Sequence, residues 1–392
     1  MLPLKGATVV ALEQAVAAPF ATRQLADLGA RVIKIERPGT GDFARGYDTT
    51  VRGMSSHFAW LNRSKESLTL DLKQREAQEM LRRLLARSDV FMHNLAPGAA
   101  DRLGFDVAAL RKAYPRLIIC QVTGYGTGGP YSDRKAYDLL IQSETGVLSI
   151  TGTADVPSKV GISVADIAAG MYAYSGVLTA LLTRTSTGQG AALEVSLFDA
   201  LGEWMGFPLY YALYGGAEPQ RAGPSHAAIA PYGPYAAGDG KTVYLGIQNE
   251  REWARFCASV LEVPELAVDP RFAANSSRVT HRDQLDRILA ERFAQWSSDT
   301  LIERLNAAGI AVARMNTVHE FADHPQLVER GRWRTVGSPV GPVRALSPPV
   351  MMEDVDPVMN PIPAVGEHTD RILRELGVDA ETIAVWHRTG VV

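Results

Sequence analysis

Residues 8 to 36 read TVVALEQAVAAPFATRQLADLGARVIKIE, and the reading of this stretch decides the fold. Thr8 to Leu12 is an apolar run of strand length, residues 18 to 29 carry a helical pattern, and 31 to 36 (Arg-Val-Ile-Lys-Ile-Glu) form a second strand. Two such strands joined through a helix lie parallel. The alternation continues outward, with strands expected at 89 to 92, 117 to 122 and 192 to 197 and helices at 74 to 88 and 106 to 114. That pattern belongs to an α/β fold whose parallel sheet is covered on both faces. Ile167 to Leu182 reads as a buried helix, too interrupted by Gly and Tyr for a membrane span.

After Gly215 the texture changes. A loop rich in Gly, Pro, Ala and Ser (215 to 240) leads to a strand at 242 to 247, helices near 250 to 261, 282 to 295 and 298 to 308, and a strand at 310 to 315. These predict a smaller α/β domain. The expected division is a large domain of residues 1 to 200 completed by 331 to 392, a linker of 201 to 221, and a small domain of 222 to 330. Two short helices, 369 to 376 and 380 to 387, close the chain.

A net charge of −3 over 392 residues excludes a general nucleic-acid binder. Residues 1 to 116 are nevertheless basic, which suits a small polyanion. Cys120 and Cys257 lie far apart in apolar surroundings and read as buried free thiols of a reducing compartment. The first twenty residues lack the basic lead and long apolar core of a signal peptide, so a cytoplasmic protein without membrane association is expected.

An acid after the second strand, here Glu36, can bind a ribose. The preceding loop, Gln14-Ala15-Val16-Ala17-Ala18-Pro19, has none of the glycines a dinucleotide requires, so that cofactor is not expected. His319 and His324 are five apart, about 140° around a helix, and cannot share a metal as an i, i+4 pair does. No metal site is expected, and neither a nucleophile elbow nor a phosphate loop is present.

There remains "GISVADIAAGMYAYSGVL" at 161 to 178, where Asp166 stands between a short β-type run and a helix. Asp166 is either an ordinary helix N-cap or a carboxylate held out for chemistry. The two readings share one physics: a cap position favours the ionised acid, and the helix N-terminus could stabilise an oxyanion beside it. Ala168, Ala169 and Gly170 would leave room for a bulky reactant. The local pattern does not choose between the readings.

The wider pattern does. "LADLGARVIKIERPGTGD" (25 to 42), "NRSKESLTLDLK" (62 to 73), "HNLAPGAADRLGF" (93 to 105), "PRLIICQVTGYGTGGP" (115 to 130), "KAYDLLIQSETG" (135 to 146) and "GEHTDRIL" (366 to 373) resemble, in order, the class III CoA-transferases of the carnitine and formyl CoA-transferase type. The resemblance implies a large Rossmann-like domain with a smaller α/β domain, in an intertwined homodimer. It implies acyl-CoA and carboxylic acid substrates, with coenzyme A thioesters used as substrates and no permanently bound cofactor.

By the same resemblance Asp166 is the catalytic nucleophile. It passes through an aspartyl anhydride and an aspartyl-CoA thioester, and the capping geometry would keep it ionised. Ala15, Val16, Ala17, Arg37, Leu70, Lys73, Asn94, Leu95 and Arg102 match CoA-binding positions. Lys135, Tyr137 and Asp138 match positions beside the active site, Asp138 as a second carboxylate. The related racemases carry a His where this chain has Tyr137, which disfavours racemisation. The stretch "GPSHAAIAPYGPYAAGDG" (223 to 240) lacks the glycine run of the formyl type, which disfavours oxalate and formate. The stretch from 230 to 253 resembles enzymes that pair succinyl-CoA with citramalate, mesaconate or itaconate. Arg221, Ser225 and His226 would then bind the acceptor's second carboxylate. A racemase-like isomerase and a silent acyl-CoA-binding protein remain as alternatives.

Overall fold

The structure, a computed structural model, describes all residues from 1 to 392. The chain divides into two compact units: residues 1–145, 161–206 and 326–392 form the first, and 146–160 with 207–325 the second. The small unit therefore takes a segment, 146–160, from inside the expected large domain. The expected linker is helical, with helices Leu197–Trp204 and Gly206–Gly215.

The first unit is built on a six-stranded parallel sheet of β1 (Thr8–Leu12), β2 (Arg31–Glu36), β3 (Lys65–Thr69), β4 (Val90–His93), β5 (Ile118–Thr123) and β6 (Ala192–Ser196). Their order is β3-β2-β1-β4-β5-β6. The order reverses between β1 and β4, which opens a crevice beyond the carboxyl ends of those strands, the usual ligand position in such sheets. All four residues of β4 are buried, as a strand covered on both faces requires. On one face lie the first helix (Ala17–Asp27) and a central helix (Val164–Thr187). On the other, helix Arg75–Leu85 and the two C-terminal helices, Thr369–Glu375 and Ala380–Thr389, close a core that includes Val10, Ile33, Leu81, Phe91, Ile372 and Ile383.

β3 was not expected, because Lys-Glu-Ser-Leu-Thr reads as polar. Its polar side chains are paired inside the protein: Lys65 with Glu13, Ser67 with Glu36, and Thr69 with Thr369. The last of these pairs, with the Asp71 N–H on the Val391 carbonyl, ties the chain end to the sheet's edge. A hairpin of β10 (Trp333–Val336) and β11 (Val343–Leu346) completes this unit.

The second unit holds a three-stranded antiparallel sheet, β7 (Tyr232–Ala236), β8 (Thr242–Gly246) and β9 (Ala311–Arg314), over a core around Trp253, Phe256, Leu285 and Phe293. β7 lies in the stretch read as a loop. Its Pro234 has no N–H to donate, which is tolerated because the strand is at an edge. Cys120 and Cys257 are buried and unbonded to one another.

Candidate active site

The crevice is shaped by the loop between β1 and the first helix. Asn94 holds Gln14 at both ends, accepting from its N–H (2.9 Å) and donating to its carbonyl (2.8 Å). Ala15, at φ +60°, lies in the left-handed region that disfavours a side chain. Its N–H is taken by the Asp42 carboxylate at 3.2 Å. Asp42 is anchored in turn by the fully buried Lys34 (2.8 Å), which also reaches Glu13 (3.4 Å), while Lys65 holds Glu13 at 2.6 Å. Burial alone would raise the Glu13 carboxyl, but Lys65 and Lys34 outweigh it and hold it low. Burial pushes Lys65 down to about 8. Buried charges are tolerated only when paired in this way. Sequence reasoning missed this network, although Lys34 in the middle of a buried strand was its signal.

Glu36, at the position of a ribose ligand, is committed to the fold. Arg45 grips it with two bonds (2.9 and 2.7 Å), Ser67 donates at 2.6 Å, and the Asp42 N–H donates at 2.8 Å. Burial raises its carboxyl, but Arg45, the Lys34 charge and Ser67 outweigh it and bring it to about 2.

Asp166 is not a helix cap. The central helix begins at Val164 with Ser163 before it, so Asp166 sits in the first turn. The cap comes from Asp138, on helix Asp138–Glu144, whose carboxylate accepts from the N–H of Ala165 (2.8 Å) and of Asp166 (3.4 Å). Gln142 holds the other Asp138 oxygen at 2.7 Å. The helix's free donors thus serve Asp138, and Asp166 is left with burial and a like charge nearby. Those two causes, burial first, push its carboxyl up to about 7. The expectation that capping keeps Asp166 ionised is overturned.

The small residues after Asp166 also have a different purpose. Ala168 and Ala169 are fully buried, and a Cβ on Gly170 would stand 2.7 Å from the Ala17 carbonyl and 3.0 Å from Phe20. They let the central helix close on the first helix. Room for a reactant lies on the other side of Asp166, in a cleft of about 850 Å³.

That cleft brings together Asp166, Lys135, Tyr137 and Asp138 with Ala15, Val16, Ala17, Arg37, Asn94 and Leu95. Leu70 and Lys73 line a neighbouring cavity of about 640 Å³, which shares Gln14, Arg37, Leu95 and Ala99 with the first. Arg37 and Lys73 are exposed and carry no ion pair. Arg102 lies at neither wall; its guanidinium donates to the Pro97 carbonyl beside the cleft (3.4 Å). Tyr47, His57, His93, Gln121 and Arg134 also line the cleft and were not foreseen. Arg134 stacks on Tyr131, 3.4 Å from the ring centroid, within a glycine-rich turn whose glycines were the available signal.

Arg221, Ser225 and His226 belong to the second unit. Arg221 donates to the carbonyls of Thr153 (2.8 Å), Ser149 (3.3 Å) and Ala154 (2.6 Å), so its guanidinium staples a loop instead of presenting a free fork. His226 stacks on Tyr232 and accepts the Ala228 N–H. Ser225 packs against Gly233, where a Cβ would meet its hydroxyl oxygen at 2.6 Å.

A crevice at a sheet reversal, basic at its outer wall and holding a carboxylate of raised pKa, suits an enzyme that binds a polyanionic substrate. Residues 4–369 match CoA-transferase family III, and the chain belongs to that family of acyl-CoA-dependent enzymes. It is 33% identical to the succinyl-CoA:glutarate CoA-transferase of Mus musculus, over 96% of this chain and 87% of that protein. It is 35% identical to the acetyl-CoA:oxalate CoA-transferase of Acetobacter aceti, over 86% of this chain and 88% of that one. Relatives named for D-citramalate and mesaconate stand at 31% and 32%. Among solved structures, a CAIB/BAIF family protein from Brucella suis superposes with a TM-score of 0.84 at 35% identity, covering 95% of this chain and 99% of its own.

Proposed function

We propose that the protein moves CoA from succinyl-CoA to a five-carbon dicarboxylate of the citramalate, mesaconate or itaconate type, with Asp166 as the covalent carrier. The observation that carries this reading is Asp166 itself, partly buried at the wall of the 850 Å³ cleft with a second carboxylate fixed behind it. Ionised Asp166 attacks the thioester carbonyl, the C–S bond breaks, and a mixed anhydride and CoA thiolate result. The thiolate attacks the aspartyl carbonyl and expels the donor carboxylate, leaving an aspartyl-CoA thioester. The acceptor carboxylate then forms a second anhydride, and the returning thiolate gives product and free Asp166. Arg37 and Lys73, unpaired at the outer wall, suit the phosphates of CoA, with Arg102 beside them. The loop of Ala15, Val16 and Ala17 with Leu70, Asn94 and Leu95 would flank its pantetheine arm.

Succinyl donors and five-carbon diacids fit the relatives named for glutarate, D-citramalate and mesaconate. Arg221 as the acceptor's anchor would first have to release three carbonyls. The strand order suits a Rossmann-like domain. An intertwined homodimer would cover apolar side chains now in solvent, among them Leu182 (72% exposed), Phe207 (68%) and Tyr214 (80%), and the open edge of β6. Such a dimer would also pack the outer face of the central helix, which is long and apolar enough to cross a membrane by length and composition.

The test is intact-mass analysis and peptide mapping after mixing with a panel of acyl-CoAs, alongside Asp166→Ala. An acyl or CoA adduct on the Asp166 peptide, absent from the variant, is expected. No adduct with any donor, together with α-proton exchange in heavy water, would replace transfer by racemisation. Sedimentation to a monomer would refute the intertwined dimer.

A further inference from the structure

His93 ends β4 at the cleft, facing Gln121 across the β4–β5 register. Its Nε2 lies 3.3 Å from the Gln121 side-chain nitrogen, and the amide donates to it. A ring nitrogen that accepts carries no proton, so in a neutral imidazole the proton is on Nδ1. That Nδ1 is buried and has no partner. The residue as a whole is 5% exposed. Burial, with no charged neighbour contributing, pushes it down to about 4, so the ring is neutral through the physiological range.

A buried N–H without an acceptor is rare in a folded protein and calls for an explanation. The fold supplies none: Phe91, on the same face of β4, offers only its ring at 5.6 Å. Asn94, the next residue, braces the Gln14 loop on the same cleft wall, so the ring is set where that loop, Leu95 and Gln121 converge. An uncharged acceptor suits it best, since no cation acts on the ring to balance an anion buried against it. On the reading of this cleft as the acyl-CoA site, the part of the substrate with that chemistry that lies between the nucleotide and the thioester is the pantetheine arm. The pantetheine arm is a narrow chain carrying amide carbonyls, whereas the nucleotide end is anionic and suited to Arg37 and Lys73.

We infer that His93 is a positioning residue for the acyl-CoA, its Nδ1–H donating to a pantetheine amide carbonyl, with Gln121 holding the tautomer. This bond fixes the depth at which the thioester lies and thereby aligns it with Asp166.

The experiment compares wild type and His93→Phe with two probes, free CoA and adenosine 3′,5′-bisphosphate, which has the nucleotide end without the amides. About tenfold weaker CoA binding in the variant, with the bisphosphate unchanged, is expected. Equal loss for both probes would make His93 merely structural, and no loss for either would show that it does not touch the arm. Wild type failing to bind CoA would refute the acyl-CoA reading, and this inference with it. Should the variant not fold, histidine nitrogen NMR of the wild type decides. A protonated Nδ1 that shifts with CoA and not with the bisphosphate is expected, and a bare Nδ1 or an unmoved signal would overturn the assignment.

Discussion

Exchanging Asp166 for Asn keeps the shape of the side chain and removes its charge, so the exchange should stabilise the protein above neutral pH and hardly at all in acid. The carboxyl is raised from 3.8 to about 7, chiefly by burial and then by Asp138. Below pH 3.8 both folded and unfolded chains hold the proton, and the group favours the folded state fully. Between 3.8 and 7 the unfolded chain loses the proton while the folded chain keeps it, so wild-type stability falls as pH rises, and it levels off above 7. Three units at 1.36 kcal/mol each set a ceiling of about 4 kcal/mol. Water admitted by the cleft and like-charge relaxation should reduce this to roughly 2–3 kcal/mol. The assay is denaturant unfolding of both proteins at pH 4.5, 6 and 8, at one fixed protein concentration. The advantage of Asp166→Asn should grow through the series. A difference independent of pH, or one favouring wild type at pH 8, would refute the placement of Asp166 in a site hostile to its charge.

Asp138→Asn keeps an oxygen for the Ala165 and Asp166 N–H groups and removes the like charge, so the acid limb of the kcat/KM profile, expected near pH 7 in the wild type, should move to lower pH. An unmoved limb would leave burial as the sole cause. Gly170→Val forces a side chain against the Ala17 carbonyl at 2.7 Å, which should cost about 1–3 kcal/mol on thermal unfolding and raise KM for acyl-CoA by shifting the cleft loop. Lys65→Met strands the Glu13 carboxylate with only Lys34 at 3.4 Å and Thr22, a loss of about 3–5 kcal/mol. Adding Glu13→Gln should restore part of that loss, and a double mutant no better than the single would count against the ionic account.

The first β-α-β unit was legible because its burial is written in apolar runs, but the register of β1 on β2 and β4 is set by the folded sheet. β3 was not, since Lys65, Ser67 and Thr69 satisfy their polarity with Glu13, Glu36 and Thr369, residues distant in the chain. The start of the central helix was misplaced for a related reason. An acid before an apolar helix looks like its cap, and nothing local shows that Asp138 supplies the cap from another element. Resemblance pointed to the cleft loop and Asp166, which the fold brings to one cleft, but could not show that Arg221 is filled by carbonyls, which only the folded loop decides.

Two carboxylates share one helix N-terminus, and the backbone gives its donors to Asp138 and not to the proposed nucleophile. Asp138 is held by two N–H groups and Gln142, whereas Asp166 faces the cleft with no hydrogen bond to its carboxylate oxygens and a like charge nearby. An ionised Asp166 is therefore poorly solvated and basic, the condition of a reactive nucleophile. On the proposed route each covalent intermediate turns that anion into a neutral anhydride or thioester, which removes the buried charge and its repulsion from Asp138 together. The geometry that makes the free carboxylate costly is thus the one that favours the aspartyl-CoA state. Moving the cap from Asp138 to Asp166 would remove both effects at once.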